Sequence, residues 1–167
     1  DEAVHYFRQA IQLDPSYALA HAALAEAIYL SSVYSETPVD WSTVRVEAQA
    51  AAAQAQLQDV AGGEGYLAQG FVAMGDNDLG KGKKWPREYI ATLLLKAVEL
   101  SPNNVSALKF AAGYSDSEQE QLELLQRAVQ LDPRSGIIRM NLGDIVAQTG
   151  DRDAAMRHYL TSISVSD

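Results

Sequence analysis

None of the 167 residues is a cysteine. That excludes a thiol nucleophile, a cysteine-ligated metal and a disulfide framework, and it suits the cytosol and the periplasm alike, with the cytosol the expected compartment. Aromatic residues make up only 8% of the chain, and β-branched residues are sparse, so no alternating strand pattern competes for the backbone. The five prolines sit between apolar segments and not inside them, which is a helical profile. A long hydrophobic run is missing too. The longest low-charge stretch, residues 48–57, is alanine and glutamine and cannot span a bilayer. Positive charge is short: 13 basic against 22 acidic residues give a net charge of −9. That balance argues against a nucleic-acid surface on the body of the chain and for a partner with apolar anchors and some positive charge.

What the chain does contain is repetition. Ala10-Ile11-Gln12-Leu13-Asp14-Pro15 returns as Ala97-Val98-Glu99-Leu100-Ser101-Pro102 and as Ala128-Val129-Gln130-Leu131-Asp132-Pro133, each time closing an apolar helix. One supersecondary unit is therefore being reused. The carboxyl-terminal unit is the cleanest. Residues 136–148 read as one helix, Gly150 breaks it, and residues 151–165 read as a second. Ile138, Leu142, Ile145 and Val146 share one face, and Ala155, Tyr159 and Ile163 form the answering face.

Leu142-Gly143, Ala155, Tyr159 and the preceding Pro133 fall at the spacings of the tetratricopeptide repeat, which the chain resembles. The register carries back to second helices at Ala3, Phe7, Ala10 and Pro15; at Ala48, Ala52, Ala55 and Val60; at Ile90, Leu94, Ala97 and Pro102; and at Leu125, Ala128 and Pro133. The resemblance implies an all-α, right-handed solenoid of antiparallel helix pairs. Its expected parts are an unpaired second helix at 1–14, a unit with an inter-helix insertion at 18–59, a unit with a basic insertion at 63–101, a short unit at 105–132 and a regular unit at 136–167. Spacing varies: Pro15 to Val60 is 45 positions and Pro102 to Pro133 only 31, against a period of about 34. The insertions are expected at 33–42 and 76–86, and the tightened hairpin at 113–117. Exposed apolar groups are expected at the two ends, at Tyr6 and Phe7 and at Tyr159, Leu160 and Ile163, where self-association could start.

Candidate chemistry is thin. Gly75 to Gly82 approaches a phosphate-binding loop, but Gly82 stands where the magnesium-binding hydroxyl belongs, and a helix, not a strand, precedes it. Asp76, Asn77 and Asp78 hint at a calcium loop that lacks its later ligands, and helix capping with solvation accounts for them. The histidines have no second metal ligand at i+3 or i+4, and no Ser, His and Asp set converges. No catalytic residue, cofactor or metal site is assigned. Lys81, Lys83, Lys84 and Arg87 flank Trp85, a basic loop whose ordinary reading is a solvated charge run with the tryptophan folded onto the neighbouring helix, and whose functional reading is contact with phosphate or an acidic partner.

By the family's pattern, the first helices line a concave groove. The resemblance implies that Glu26, Tyr29, Leu67, Phe71, Met74, Lys109, Met140, Asn141 and Asp144 face it. Only Lys109 and Asn141 match the residues with which chaperone-binding members hold a carboxylate. The expected function is a noncatalytic protein-interaction module binding a peptide or helix, within a larger bacterial regulatory or scaffold protein. This style of repeat also resembles the tetratricopeptide arms of bacterial transcriptional activators and adenylate cyclases. An accessory region of a transferase or cyclase, and a self-associating scaffold, are the alternatives. On this reading, Phe71→Ala combined with Tyr29→Ala abolishes partner binding and leaves helicity intact.

Overall fold

In the computed structural model, described for residues 2–34, 40–59, 61–80 and 84–165, the secondary structure is nine α-helices with no strand among the described residues. They are α1 (Glu2–Leu13), α2 (Ala18–Tyr34), α3 (Trp41–Gln58), α4 (Glu64–Asp78), α5 (Arg87–Leu100), α6 (Val105–Tyr114), α7 (Glu118–Leu131), α8 (Gly136–Gln148) and α9 (Arg152–Val165). The stops are chemical. Pro15, Pro102 and Pro133 each follow a helix by two residues and cannot extend its hydrogen-bond ladder. The starts are capped by side chains: Asp40 accepts from the Ser42 amide at 3.0 Å, Asn104 from Ala107 at 2.9 Å and Ser117 from Glu120 at 3.3 Å.

The helices group into two compact units, Asp1–Ser101 and Pro102–Asp167. In the first, α4 is the central helix and packs against α2, α3 and α5. It is buried almost all round: Leu67, Ala68, Phe71, Ala73 and Met74 are covered, with Phe71 0% exposed. A helix so enclosed must let its neighbours come close, and Gly75 does this for Trp41. A Cβ at Gly75 would lie 2.3 Å from the indole ring, nearer than any side chain can tolerate. In the second unit, α8 packs on α9 and on α7, and α6 on α7. Gly143 has the matching role there, since a Cβ would stand 2.5 Å from the Tyr159 ring. Gly75 meets a ring on the preceding helix and Gly143 one on the following helix; the register counterpart of the Gly143–Tyr159 pair in the first unit is Gly70, where a Cβ would stand 2.9 Å from Leu94.

Two boundaries differ from the sequence expectation. α2 runs on to Tyr34, into the insertion expected from residue 33, and α4 runs on to Asp78, into the insertion expected from residue 76, so Asp76, Asn77 and Asp78 are helical and not part of a loop. Apolar packing and the polar contacts of Asp76 hold this last turn in place. Part of each expected insertion, residues 35–39 and 81–83, lies outside the described residues, as do Asp1, Val60, Ser166 and Asp167.

Candidate functional site

The first unit contains a polar cluster on an otherwise apolar framework. The Asp76 side chain is 3% exposed. Oδ1 accepts from Trp41 Nε1 at 3.0 Å and Oδ2 from Trp85 Nε1 at 3.1 Å. Arg45 donates to both carboxylate oxygens, from Nε at 2.5 Å and from Nη2 at 2.8 Å. Such a bidentate pair, with the remaining lone pairs met by indole N–H groups, keeps a buried carboxylate charged. The Arg45 guanidinium, helped by the two indoles, holds the Asp76 carboxyl down at about 2 against the opposing effect of burial. Asp76 is thus not a solvated cap, which corrects that reading for this carboxylate, whereas Asp78 is exposed.

The cluster fixes the chain beyond α4. The Asn77 carboxamide donates to the Trp85 carbonyl at 2.8 Å and accepts from the Trp85 amide at 2.7 Å. Lys84 Nζ donates to the carbonyl of Asn77, and at 3.5 Å to those of Asp76 and Gly80, so its charge sits on the carbonyl end of α4. Trp85 then stacks on Tyr89, with centroids 4.7 Å apart and planes 18° from parallel. This aromatic pair, with Ala52, Ala53, Val72 and Ala73 and the carboxamides of Gln49 and Gln69, lines a cleft of about 220 Å³. Lys81 and Lys83 of the basic loop lie outside the described residues. Arg87 opens α5 and is exposed.

The residues expected to face a groove do not share one surface. Leu67, Phe71 and Met74 are 3%, 0% and 1% exposed and form core, because α4 has neighbours on every side. No partner reaches them without unpacking the unit, which corrects the expectation for these three. Tyr29 is 6% exposed. Its ring lies 5.8 Å from Phe71, and its hydroxyl donates to Asp78 at 2.8 Å. Glu26 is half-buried on α2. In the second unit Lys109, Asn141 and Asp144 do come together, around a cleft of about 320 Å³ that Leu125 and Ile145 also line. Tyr159 donates to Asp144 Oδ1 at 2.8 Å, and this bond raises the phenol's pKa. Lys109 Nζ lies 4.4 Å from the centroid of the Phe110 ring. Met140, 41% exposed, is not part of that lining.

The sequence reading missed Trp41, Arg45 and Tyr89. The available signal was indirect: the chain's two tryptophans lie on either side of Asp76 in sequence, and Gly75 interrupts an apolar helix beside it. Among the described residues no three His, Asp or Glu side chains form a metal-ligating group, and no helix is long and apolar enough to cross a membrane.

Paired antiparallel helices with small-to-large contacts at a fixed register define the helical-hairpin repeat class. The chain has the tetratricopeptide-repeat fold, and the sequence model of the tetratricopeptide repeat matches residues 1–17. Solved structures similar to it include PilF of Pseudomonas aeruginosa, at 17% identity and a TM-score of 0.62, covering 95% of this chain and 65% of that one. MamA from Desulfovibrio magneticus RS-1 is 14% identical with a TM-score of 0.57, covering 99% of this chain and 84% of that one. YrrB, described as a tetratricopeptide protein with an unusual peptide-binding site, is 18% identical with a TM-score of 0.58, covering 98% and 76%. No curated protein sequence matches the chain.

Proposed function

We propose that the chain is a noncatalytic protein-interaction module, serving in a larger bacterial regulatory or scaffold protein, and that the cleft of the second unit takes an extended peptide or a short helix. The observation that carries this reading is the convergence of Lys109, Asn141 and Asp144 around Leu125 and Ile145. Apolar side chains offer an anchor site. The carboxamide of Asn141 can both donate to and accept from a peptide backbone, and the charges select side chains of opposite sign. The likeness in fold to a protein described as having a peptide-binding site is in keeping with it.

Peptides selected from a displayed library on this chain test the proposal. Asn141→Ala and Asp144→Ala are each expected to weaken binding about tenfold, roughly the effect of losing one well-placed interfacial contact, with the thermal midpoint held as control. Unchanged affinity in both variants removes the cleft from consideration.

One observation favours self-association as a second reading. Met156, Leu160 and Ile163 are 56%, 60% and 66% exposed and recur at i, i+4 and i+7 along α9, and an apolar stripe at that spacing suits a helical partner. Light scattering over a hundredfold concentration range, about two decades around a micromolar dissociation constant, is expected to show a rising mass if this stripe pairs. A constant monomer mass rejects it.

A further inference from the structure

The cleft of the first unit is a separate feature, and its chemistry differs from that of the second. Its lining contains no charged side chain. One side is the stacked pair of Trp85 and Tyr89, and Trp85 is held at both ends: its indole by Asp76 and its backbone by Asn77. Polar groups are oriented as well. Gln69 donates to Gln56 at 3.1 Å, and Gln49 accepts from Arg45 at 3.5 Å. An aromatic pair fixed before any ligand arrives, beside small side chains that leave room for one, loses little conformational freedom on binding.

The charge bordering this cleft is positive in a chain whose net charge is −9. Arg45 reaches Gln49, and Lys84 immediately precedes Trp85, whereas the carboxylate between them, Asp76, is buried and bound to Arg45. Two cations thus stand against one carboxylate here; Asp78, the other acidic residue at the end of α4, is bound to the Tyr29 hydroxyl on α2, and on the next turn Arg87 and Glu88 offset each other. We infer that this cleft is a docking site for a partner's peptide segment in which an apolar side chain packs against Trp85 and Tyr89 and is flanked by carboxylates that face Arg45 and Lys84. The site neither uses nor depends on the cleft of the second unit. It selects the opposite charge from the partner expected of the acidic body of the chain.

The test uses two blocked hexapeptides, Asp-Glu-Leu-Phe-Asp-Glu and its basic twin Lys-Arg-Leu-Phe-Lys-Arg, titrated into the ¹⁵N-labelled chain. Only two indole signals exist, from Trp41 and Trp85. The acidic peptide is expected to shift the Trp85 indole and the Gln49 and Gln69 carboxamides, while the basic twin leaves them in place. Tyr89→Ser and, independently, the near-isosteric Gln69→Glu should each weaken the acidic peptide about tenfold, the first by removing half the aromatic pair and the second by placing a carboxylate in the cleft. Equal binding of the two peptides overturns the inference. So does a titration in which the Trp85 signal is unmoved, or in which the shifts are confined to the Asn141 carboxamide. That last outcome supports the second-unit cleft instead.

Discussion

Asp76→Ala is expected to destabilise the first unit by about 3 kcal/mol, the cost of leaving a buried indole donor unpaired and breaking a hydrogen-bonded ion pair. Trp41, 2% exposed, loses the acceptor for its Nε1–H and gains no water in exchange. Arg45 loses both its hydrogen bonds to Asp76, but it is part-exposed and recovers some hydration, which keeps the cost below that of a fully enclosed pair. Asp76→Asn keeps the shape and one acceptor, so its loss should be smaller. Guanidinium denaturation followed by tryptophan fluorescence reads this unit directly, because both tryptophans lie within it. A loss under about 1 kcal/mol, the worth of one ordinary hydrogen bond, would show that the carboxylate does not hold the cluster together.

The same group sets an acid dependence. Its carboxyl is held at about 2 in the folded chain against an ordinary 3.8. The unfolded chain therefore takes up the proton first as pH falls. The stabilisation is complete above about pH 4 and is lost progressively between about pH 4 and 2, amounting to about 2–3 kcal/mol at 1.4 kcal/mol per unit. In Asp76→Asn this component of the acid transition should vanish, leaving only that of the remaining carboxylates.

Repeat register was legible in the sequence because it is a local property. Leu142, Gly143, Ala155 and Tyr159 report helix pairing within some twenty residues, and proline after Leu13, Leu100 and Leu131 states where each helix stops. Which side of a first helix meets solvent is not local. α2 leaves Glu26 only half-buried, and α4, with comparable periodicity, is enclosed by α2, α3 and α5, so the groove positions of the repeat become core at Leu67, Phe71 and Met74. The Asp76 cluster was hidden for the same reason: its donors come from Trp41 and Arg45, 35 and 31 positions away, and from Trp85, nine positions on. By sequence Asp76 to Asp78 read as capping, solvated carboxylates, whereas helix α4 runs through them.

Phe71→Ala consequently tests stability and not binding. The ring is wholly buried, against Tyr29 on one side, in a helix that touches three others. Truncating a buried phenylalanine costs about 3–5 kcal/mol, from lost transfer free energy and the cavity left behind. The upper part of that range applies because a helix held from three sides has little freedom to collapse into the space. Tyr29→Ala adds the loss of the hydroxyl's bond to Asp78 and widens the same cavity, so the two effects should not be additive. Circular dichroism on heating is expected to show the double variant losing its first-unit transition at a temperature where the parent keeps it, whatever ligand is present. Loss of partner binding in that variant then reports unfolding and says nothing of a groove. A double variant that melts with the parent and has lost only its ligand would return Phe71 to the binding surface, and would mean that α4 opens in solution.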